Sequence, residues 1–243
     1  MNKQVIFALF LFLTSGLSQA NITVEVNGEQ RNYTQPPRLN EVLQPYALQQ
    51  QWYWPAAALY RLNSQRAENI RRELIALADE IGQQTDDKAV RESLALLQAQ
   101  VTQWQLAERI VVPIDYDAAT VQMALNPRLD SGSYRLLLKR RPVDVHLIGA
   151  VKREFSVPHN GARHVAVYIQ SEQFSPSADH SRVVIVQPDG QLSVAGIDSW
   201  NSQHIEAMPG AQLLVLFSEP MLDKRFATLN HLLQQLAVHR ILP

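Results

Sequence analysis

The sequence contains no cysteine among its 243 residues. A disulfide framework, thiol catalysis and thiolate metal sites are therefore excluded, and no lipidated cysteine can anchor the chain. The sequence also lacks any long block of basic residues, and its formal net charge is −1. Binding of nucleic acid needs a concentrated positive surface, so nucleic acid is not expected as a partner.

Long apolar runs are missing as well, except near the N-terminus. Lys3 is followed by an unbroken apolar run from Val5 to Leu13, and Ser18-Gln19-Ala20 places small residues where a signal peptidase reads them. This pattern predicts a signal peptide over residues 1–20, cleaved after Ala20. A bilayer span takes about 20 apolar residues, and no later run is long enough. We therefore expect a soluble protein that is exported to a bacterial periplasm and is not a lipoprotein.

No strong catalytic motif is present. The sequence has no G-x-S-x-G elbow, H-E-x-x-H motif, Walker A loop or G-x-G-x-x-G loop. Asp115 and Asp117 are two residues apart, whereas glycosidases need carboxylates that flank a sugar from opposing positions. His159 and His164 are five residues apart, which matches neither one helix face nor one strand face. We therefore expect no catalytic residues, no metal and no cofactor.

The remaining sequence is ordinary for a globular protein of one or two domains, with 46% hydrophobic and 19% charged residues. Residues 21–34 alternate around Asn27-Gly28, which predicts a β-hairpin. Residues 64–108 lack proline and repeat apolar residues with a helical period, which predicts an antiparallel helical hairpin. Gly82 is expected to close its first helix, and Thr85 to cap its second.

After Arg109 the apolar period returns to two, which predicts a series of strands as far as Phe217. Residues 164–170 are ambiguous, because their apolar positions suit either a strand or a helix face. Residues 218–243 predict an amphipathic helix. Few cationic residues accompany its apolar face, so docking on its own domain is favoured over membrane contact.

The aromatic residues Trp52, Tyr53, Trp54 and Trp200 are candidates for carbohydrate binding. Sugar rings stack their apolar faces on aromatic side chains, while polar neighbours bond the hydroxyl groups. The alternative is that these rings are buried in the core, as is common in a protein of this size, and packing is the favoured interpretation for each ring.

The order of turns and strands resembles the periplasmic GfcC-like proteins of capsule and exopolysaccharide gene clusters, over residues 21–242. The resemblance begins with Asn27-Gly28 and the long helical insertion. It also includes Trp54-Pro55-Ala56-Ala57-Ala58-Leu59-Tyr60, Asn126-Pro127-Arg128-Leu129 with Gly132, Arg141-Pro142-Val143 with Gly149, Gln187-Pro188-Asp189-Gly190, Trp200-Asn201 and Pro209-Gly210-Ala211.

The resemblance implies an α+β protein with two β-grasp-like domains, similar to those of the outer-membrane polysaccharide exporter. The first domain is expected over residues 21–141, including the helical hairpin 64–108, and the second over 142–217. An amphipathic helix follows over 218–243. Because each β-grasp domain has one helix across its sheet, the resemblance favours a helix at residues 164–170.

The resemblance also implies a site residue. A Gly-Arg pair opens the corresponding strand in the family, and Arg109 matches its arginine, although Glu108 replaces the glycine. An arginine fork suits a uronic acid carboxylate or a lipid-linked phosphate. The alternative is a surface ion pair between Arg109 and Glu108 or Asp115.

The function implied is that of a non-catalytic accessory protein, a monomer that contacts polysaccharide or polysaccharide-export proteins. The candidate ligand-binding residues are Arg109, Trp52, Trp54 and Trp200. Two other hypotheses stay open at this point. One is an enzyme that modifies polysaccharide through Asp115 or Asp117 with a histidine, and the other is a protein scaffold whose helices dock partner proteins.

Overall fold

The computed structural model describes residues 22–49, 51–161, 163–202 and 204–242. The predicted signal peptide lies outside these residues. The α+β class is confirmed, because ten strands form two five-stranded sheets and five α-helices accompany them in the described part of the chain.

The first sheet contains strands β1 to β5 in the order β2-β1-β5-β3-β4, and only the β1–β5 pair is parallel. Asn27 and Gly28 have positive φ angles of 48° and 92° and join β1 to β2. The strands are β1 Ile22–Val26, β2 Glu29–Tyr33, β3 Ala58–Arg61, β4 Glu108–Ile110 and β5 Gly132–Leu137.

Helix α1, Leu39–Ala47, covers one face of the first sheet. Its buried residues Leu39, Val42 and Leu43 pack with alternate residues of β1. A short helix α4, Tyr116–Val121, lies between β4 and β5 and is capped by the Asp115 carboxylate, which accepts a hydrogen bond from the Ala118 amide at 2.9 Å. Asp115 therefore acts as a helix cap.

The second sheet repeats the same strand arrangement. Its order is β7-β6-β10-β8-β9, and its parallel pair is β6–β10. The β8–β9 connection turns at Pro188-Asp189-Gly190, where Gly190 has φ +91° and the Asp189 carboxylate accepts from the Gln191 amide. The strands are β6 Asp144–Gly149, β7 Phe155–Pro158, β8 Ala178–Val186, β9 Leu192–Gly196 and β10 Gln212–Phe217.

Two helices, α2 (Arg66–Gln84) and α3 (Lys88–Thr102), lie between β3 and β4 in the sequence. Gln98 donates to the Ile75 carbonyl and to Asp79, while Arg71 donates to the carbonyls that follow Val101, so the helices run antiparallel. Their buried residues belong to the core of the second sheet. The helices predicted with the first domain by sequence therefore cover the second sheet.

The predicted helix ends in this region were wrong. Helix α2 continues past Gly82 to Gln84, and Thr85 ends it. The N-cap of α3 is Asp87, whose carboxylate accepts from the amides of Ala89 and Val90. Aspartate is as good an N-cap as threonine, and Thr85 already serves as the C-cap of α2, where its hydroxyl accepts from the Asp87 amide at 3.2 Å.

Helix α5, Arg225–Val238, packs on the second sheet. The Asn230 side chain is buried and bonds both the amide and the carbonyl of Phe217 at 2.9 Å. Leu229, Leu233 and Leu236 are fully buried in the same core as α2 and α3. Within the described residues, no helix is both long enough and apolar enough to cross a membrane.

The helix expected at residues 164–170 is a single 3₁₀ turn, Val165–Tyr168. Three β-branched residues in this segment disfavour an α-helix. The Tyr168 hydroxyl also holds the segment, because it bonds the amide and carbonyl of Asn160 at 2.9 and 2.7 Å. Helices α2, α3 and α5 already cover the second sheet, so no further helix is needed there.

The segment after α5 returns to the first sheet. The Ala107 amide donates to the His239 carbonyl, and the Ile241 amide donates to the Gln105 carbonyl. The Arg109 amide donates to Nδ1 of His239 at 3.0 Å. We call residues 239–242 the C-terminal segment. It connects the helix on the second sheet to strand β4 of the first.

Two glycines have nearly equal φ angles but different surroundings. Substituting each of them therefore distinguishes the cost of steric crowding from the cost of backbone strain. A Cβ at Gly149 (φ +91°) would lie 2.3 Å from the Val215 carbonyl oxygen, whereas a Cβ at Gly28 (φ +92°) meets nothing within 4 Å. Replacing Gly28 by alanine should cost about 1 kcal/mol. Replacing Gly149 should cost about 3 kcal/mol or more, because the β6–β10 pair must separate. Urea unfolding of both variants measures the difference, and equal losses would contradict the packing of Gly149.

The pH dependence of stability should report on His239. Burial first, and then the charges of Arg66 and Arg109, lower the pKa of His239, while Glu108 opposes them. Unfolding therefore takes up protons as the pH falls below about 6.5, and the free energy of unfolding should decrease. Asparagine can accept the Arg109 amide bond without titrating. We expect thermal unfolding of His239→Asn to depend less on pH between 7.5 and 5, and an unchanged dependence would contradict this role.

Candidate functional site

A cavity of about 210 Å³ lies between the two sheets. Its walls come from β3 and β4 of the first sheet, β6 and β10 of the second, the β8–β9 turn and the C-terminal segment. We call it the inter-sheet cavity. Its lining residues are Ala56, Ala58, Tyr60, Arg109, Lys139, Arg140, Pro142, His146, Val186, Gln187, Pro188, Gly210, Gln212, Arg240 and Leu242.

Arg109 crosses from the first sheet to the second. It pairs with Tyr60 across the β3–β4 ladder, and its guanidinium lies 5.9 Å from the centre of the Tyr60 ring. Its Nη2 donates to the Pro188 carbonyl of the β8–β9 turn, while its Nε is buried without a hydrogen-bond partner. Burial lowers the pKa of Arg109, and the neighbouring Tyr60 and Asp189 oppose this effect. The guanidinium is thus desolvated and incompletely bonded.

The alternative interpretation of Arg109 as a surface ion pair with Glu108 or Asp115 is not what the structure shows. The Glu108 carboxylate lies 3.6 Å from Nη1 of Arg66. Asp115 caps α4. Arg109 instead reaches the cavity from the central residue of β4, with backbone oxygen as its hydrogen-bond acceptor.

The described lining of the cavity contains several cationic side chains. Arg109, Lys139, Arg140 and Arg240 line it, and none of the described lining residues is acidic. Lys139 donates to the Leu242 carbonyl at 2.8 Å. Burial lowers the pKa of Lys139, and the charge of Arg109 adds to this effect. Cations that lie close together in a partly desolvated space repel one another. An anion bound in the cavity would reduce this repulsion.

Arg240 belongs to the C-terminal segment and lies at one side of the cavity. Its Nη2 donates to the Glu154 carboxylate at 2.5 Å, and its guanidinium lies 4.8 Å from the Trp104 ring centre. Its Nη1 is buried without a partner. The Tyr60 hydroxyl donates to its carbonyl at 3.1 Å, which fixes the backbone of the segment against β3. One edge of this guanidinium is therefore satisfied and the other is not.

Two neutral polar residues from adjacent strands complete the wall. Gln212 and His146 are direct partners in the β10–β6 ladder. Gln212 is 4% exposed, its Nε2 donates to the Ala237 carbonyl, and its Oε1 is buried without a partner. His146 Nδ1 lies 2.8 Å from the Ser156 hydroxyl, and burial followed by the charge of Arg240 lowers its pKa.

The three predicted tryptophans do not line the inter-sheet cavity. Trp52 and Trp54 are partly buried against the core of the first sheet. Trp54 also lines a separate cleft of about 270 Å³ with Asp115 and Asp189. Trp200 is 76% exposed in the connection after β9. The structure therefore separates Arg109 from the aromatic residues that were predicted with it.

The other chemical candidates are also dispersed. Asp117 is exposed in the first turn of α4, while Asp115 caps that helix. His159 bonds the Ala207 carbonyl, and His164 accepts from the Ala166 amide. Among the described residues, no group of three or more His, Asp or Glu side chains is arranged to hold a metal ion.

Sequence reasoning identified Arg109 but not Lys139, His146, Gln212 or Arg240. These residues come from four separate segments and share no motif spacing. Arg240 follows an amphipathic helix, where a basic residue is ordinary because it complements the helix dipole. Only the pairing of β10 with β6 and the return of the C-terminal segment bring them together.

Replacing Arg109 tests whether its side chain contributes to the stability of the fold. Methionine retains the apolar stem and removes a buried charge that has no acidic partner in the cavity wall, so Arg109→Met should change the free energy of unfolding by no more than about 1 kcal/mol. The matched control is Arg135→Met, which breaks the two bonds to the Glu25 carboxylate at 3.0 and 3.1 Å. The control should lose more stability in urea unfolding. A larger loss for Arg109→Met would assign Arg109 to the fold.

Comparison with known proteins covers nearly the whole chain. Residues 18–141 match the family described as "Capsule biosynthesis GfcC, N-terminal", and residues 153–242 match "Capsule biosynthesis GfcC C-terminal". The chain is also 29% identical over 247 residues to the uncharacterized protein YjbG of Escherichia coli strain K12, covering 99% of each chain. The resemblance inferred from the turns is therefore confirmed, and the chain belongs to the GfcC family of capsule biosynthesis.

Proposed function

We propose that this protein is a non-catalytic periplasmic accessory factor in the assembly or export of capsular or extracellular polysaccharide, and that it contacts the glycan at the inter-sheet cavity. The observation that carries the proposal is the desolvated Arg109 in a cavity wall with four cationic and no acidic side chains among its described residues. Membership of a capsule biosynthesis family supplies the biological context.

The architecture supports a relationship to export machinery. Both sheets have the same order, in which the first and last strands of each set pair in parallel at the centre. We infer that both are β-grasp sheets, like those expected of the outer-membrane polysaccharide exporter. In the first, α1 supplies the covering helix, while in the second this role falls to α2, α3 and α5.

The non-catalytic part of the proposal is supported by the uses of the acidic residues. Asp115 caps a helix, and Asp189 stabilises a turn by accepting the Gln191 amide at 2.9 Å. These structural roles account for both carboxylates without any chemistry. The periplasmic part follows from the signal-peptide pattern of residues 1–20.

A scaffold function through the helices is less well supported. The apolar faces of α2, α3 and α5 are buried against one another and the second sheet. Docking of a partner protein or a membrane on these faces would require the helices to leave a shared core, which would expose several fully buried leucines. The buried faces of these helices therefore give no support to a scaffold function.

The proposal is tested by deleting the gene and measuring surface polysaccharide on washed cells. We expect the amount of surface polymer to fall, and plasmid-borne wild-type protein to restore it. Arg109→Met should fail to restore it. The matched control is Arg72→Ala, which removes an exposed arginine of α2 that bonds only Asn69 and should restore the polymer fully. An unchanged amount of polymer in the deletion strain would overturn the proposed function.

A further inference from the structure

Three polar side-chain atoms without a hydrogen-bond partner belong to residues that line the inter-sheet cavity. They are Nε of Arg109, Nη1 of Arg240 and Oε1 of Gln212. The three residues come from β4, the C-terminal segment and β10. A buried polar atom without a partner costs about 1–3 kcal/mol, and such atoms are rare in folded proteins. All three residues line the same cavity, and this is the observation that points to a ligand with complementary groups.

The amide orientation of Gln212 is fixed by its surroundings. Its Nε2 donates to the Ala237 carbonyl of α5 at 3.1 Å. The reversed amide would place two carbonyl oxygens against each other, so the unpartnered atom is the oxygen, an acceptor. The backbone on either side is held by pairing with both β6 and β8. A ligand that satisfies Gln212 must therefore bring a hydrogen-bond donor.

The two arginine atoms require the opposite kind of group. Both are N–H donors of positively charged guanidinium groups, so they suit a negatively charged oxygen. A carboxylate, a phosphate or a sulfate would satisfy these two donors. A sulfate or an acetate carries no donor for Gln212, whereas a sugar acid carries a carboxylate and hydroxyl groups on one ring.

We propose that the inter-sheet cavity binds an acidic sugar residue of the polysaccharide, a uronic acid or a similar hydroxylated carboxylate. Its carboxylate accepts from Arg109 and Arg240, and a hydroxyl of the same ring donates to Oε1 of Gln212. This inference rests on the proposed function and adds the class of sugar recognised. It also makes Gln212 the residue that distinguishes a sugar acid from an anion without a hydrogen-bond donor, such as sulfate or acetate.

Calorimetric titration of the purified protein tests the inference with four probes: methyl glucuronide, methyl glucoside, acetate and sulfate. We expect methyl glucuronide to bind at least about tenfold more tightly than each of the others, because it alone satisfies both the donors and the acceptor. Sulfate that binds as tightly as the glucuronide would overturn the proposal, and so would binding of the neutral glucoside at equal affinity.

Variants locate the binding on the proposed atoms. Gln212→Met removes the acceptor at similar volume and should weaken glucuronide binding at least about tenfold, to the level of acetate, while acetate binding is unchanged. Gln83→Met, an exposed position on α2, is the matched control and should bind as the wild type does. Thermal unfolding checks that Gln212→Met is folded, and the probe series on the wild type is decisive if it is not. Glucuronide binding by folded Gln212→Met at wild-type affinity would overturn the proposal.

Failure of this inference differs from failure of the proposed function. If the deletion strain loses surface polymer and Gln212→Met restores it fully, the acidic-sugar site is wrong and the accessory function stands. If no probe binds, the acidic-sugar site is also wrong, and the accessory function is then judged by the deletion phenotype alone.

Discussion

The return of the C-terminal segment to strand β4 is the constraint on which the site depends. Backbone bonds from Ala107 and Ile241 hold this segment beside the first sheet, although it follows a helix packed on the second. Without these bonds neither Arg240 nor the Leu242 carbonyl that Lys139 bonds would face the cavity. The two sheets are therefore coupled at the place where the cations converge.

A second connection between the sheets runs in the opposite direction. Helices α2 and α3 leave the first sheet after β3 and cover the second sheet before the chain returns to β4. Arg71 fastens the end of α3 through three carbonyls, at 3.1–3.2 Å. Because β4 follows directly, the position of Arg109 depends on packing within the second sheet's core. The position of Arg109 in the cavity therefore depends on both sheets.

Much of the fold could be predicted from local patterns. Helical periodicity of residues 64–108 and 218–243 has a simple physical cause, since one stripe of each helix is buried. The structure of an ambiguous segment such as 164–170 depends on which other elements cover the sheet. A local sequence pattern contains no information about those elements. Helix ends were missed for a related reason, because Asp87 and Thr85 are both good caps and only the geometry of the connection selects between them.

Of the site itself only Arg109 could be predicted, and only through a family resemblance. The remaining lining residues are individually ordinary: a lysine after a strand, a histidine and a glutamine on neighbouring strands, and an arginine near the C-terminus. Their significance lies in their surroundings in the folded protein: none of the described residues that line the cavity is acidic, and one side-chain atom of Gln212 and one of Arg240 lack hydrogen-bond partners. Partners are determined by tertiary structure, so a sequence can show a charged residue but cannot show which groups surround it.

A fold optimised for stability alone would not retain this wall. Desolvation lowers the pKa of Arg109, Lys139 and His146 together, which means that burial opposes the charged form of each group. Apolar residues of similar volume would avoid that cost. The two connections between the sheets nevertheless hold these groups in one cavity. Under the proposed function, an anionic ligand bound there would offset the repulsion between the cations and so lower the free energy of this arrangement. Under the same proposal, the cost of burying these charges in the unbound protein is the cost of pre-organising the site for binding.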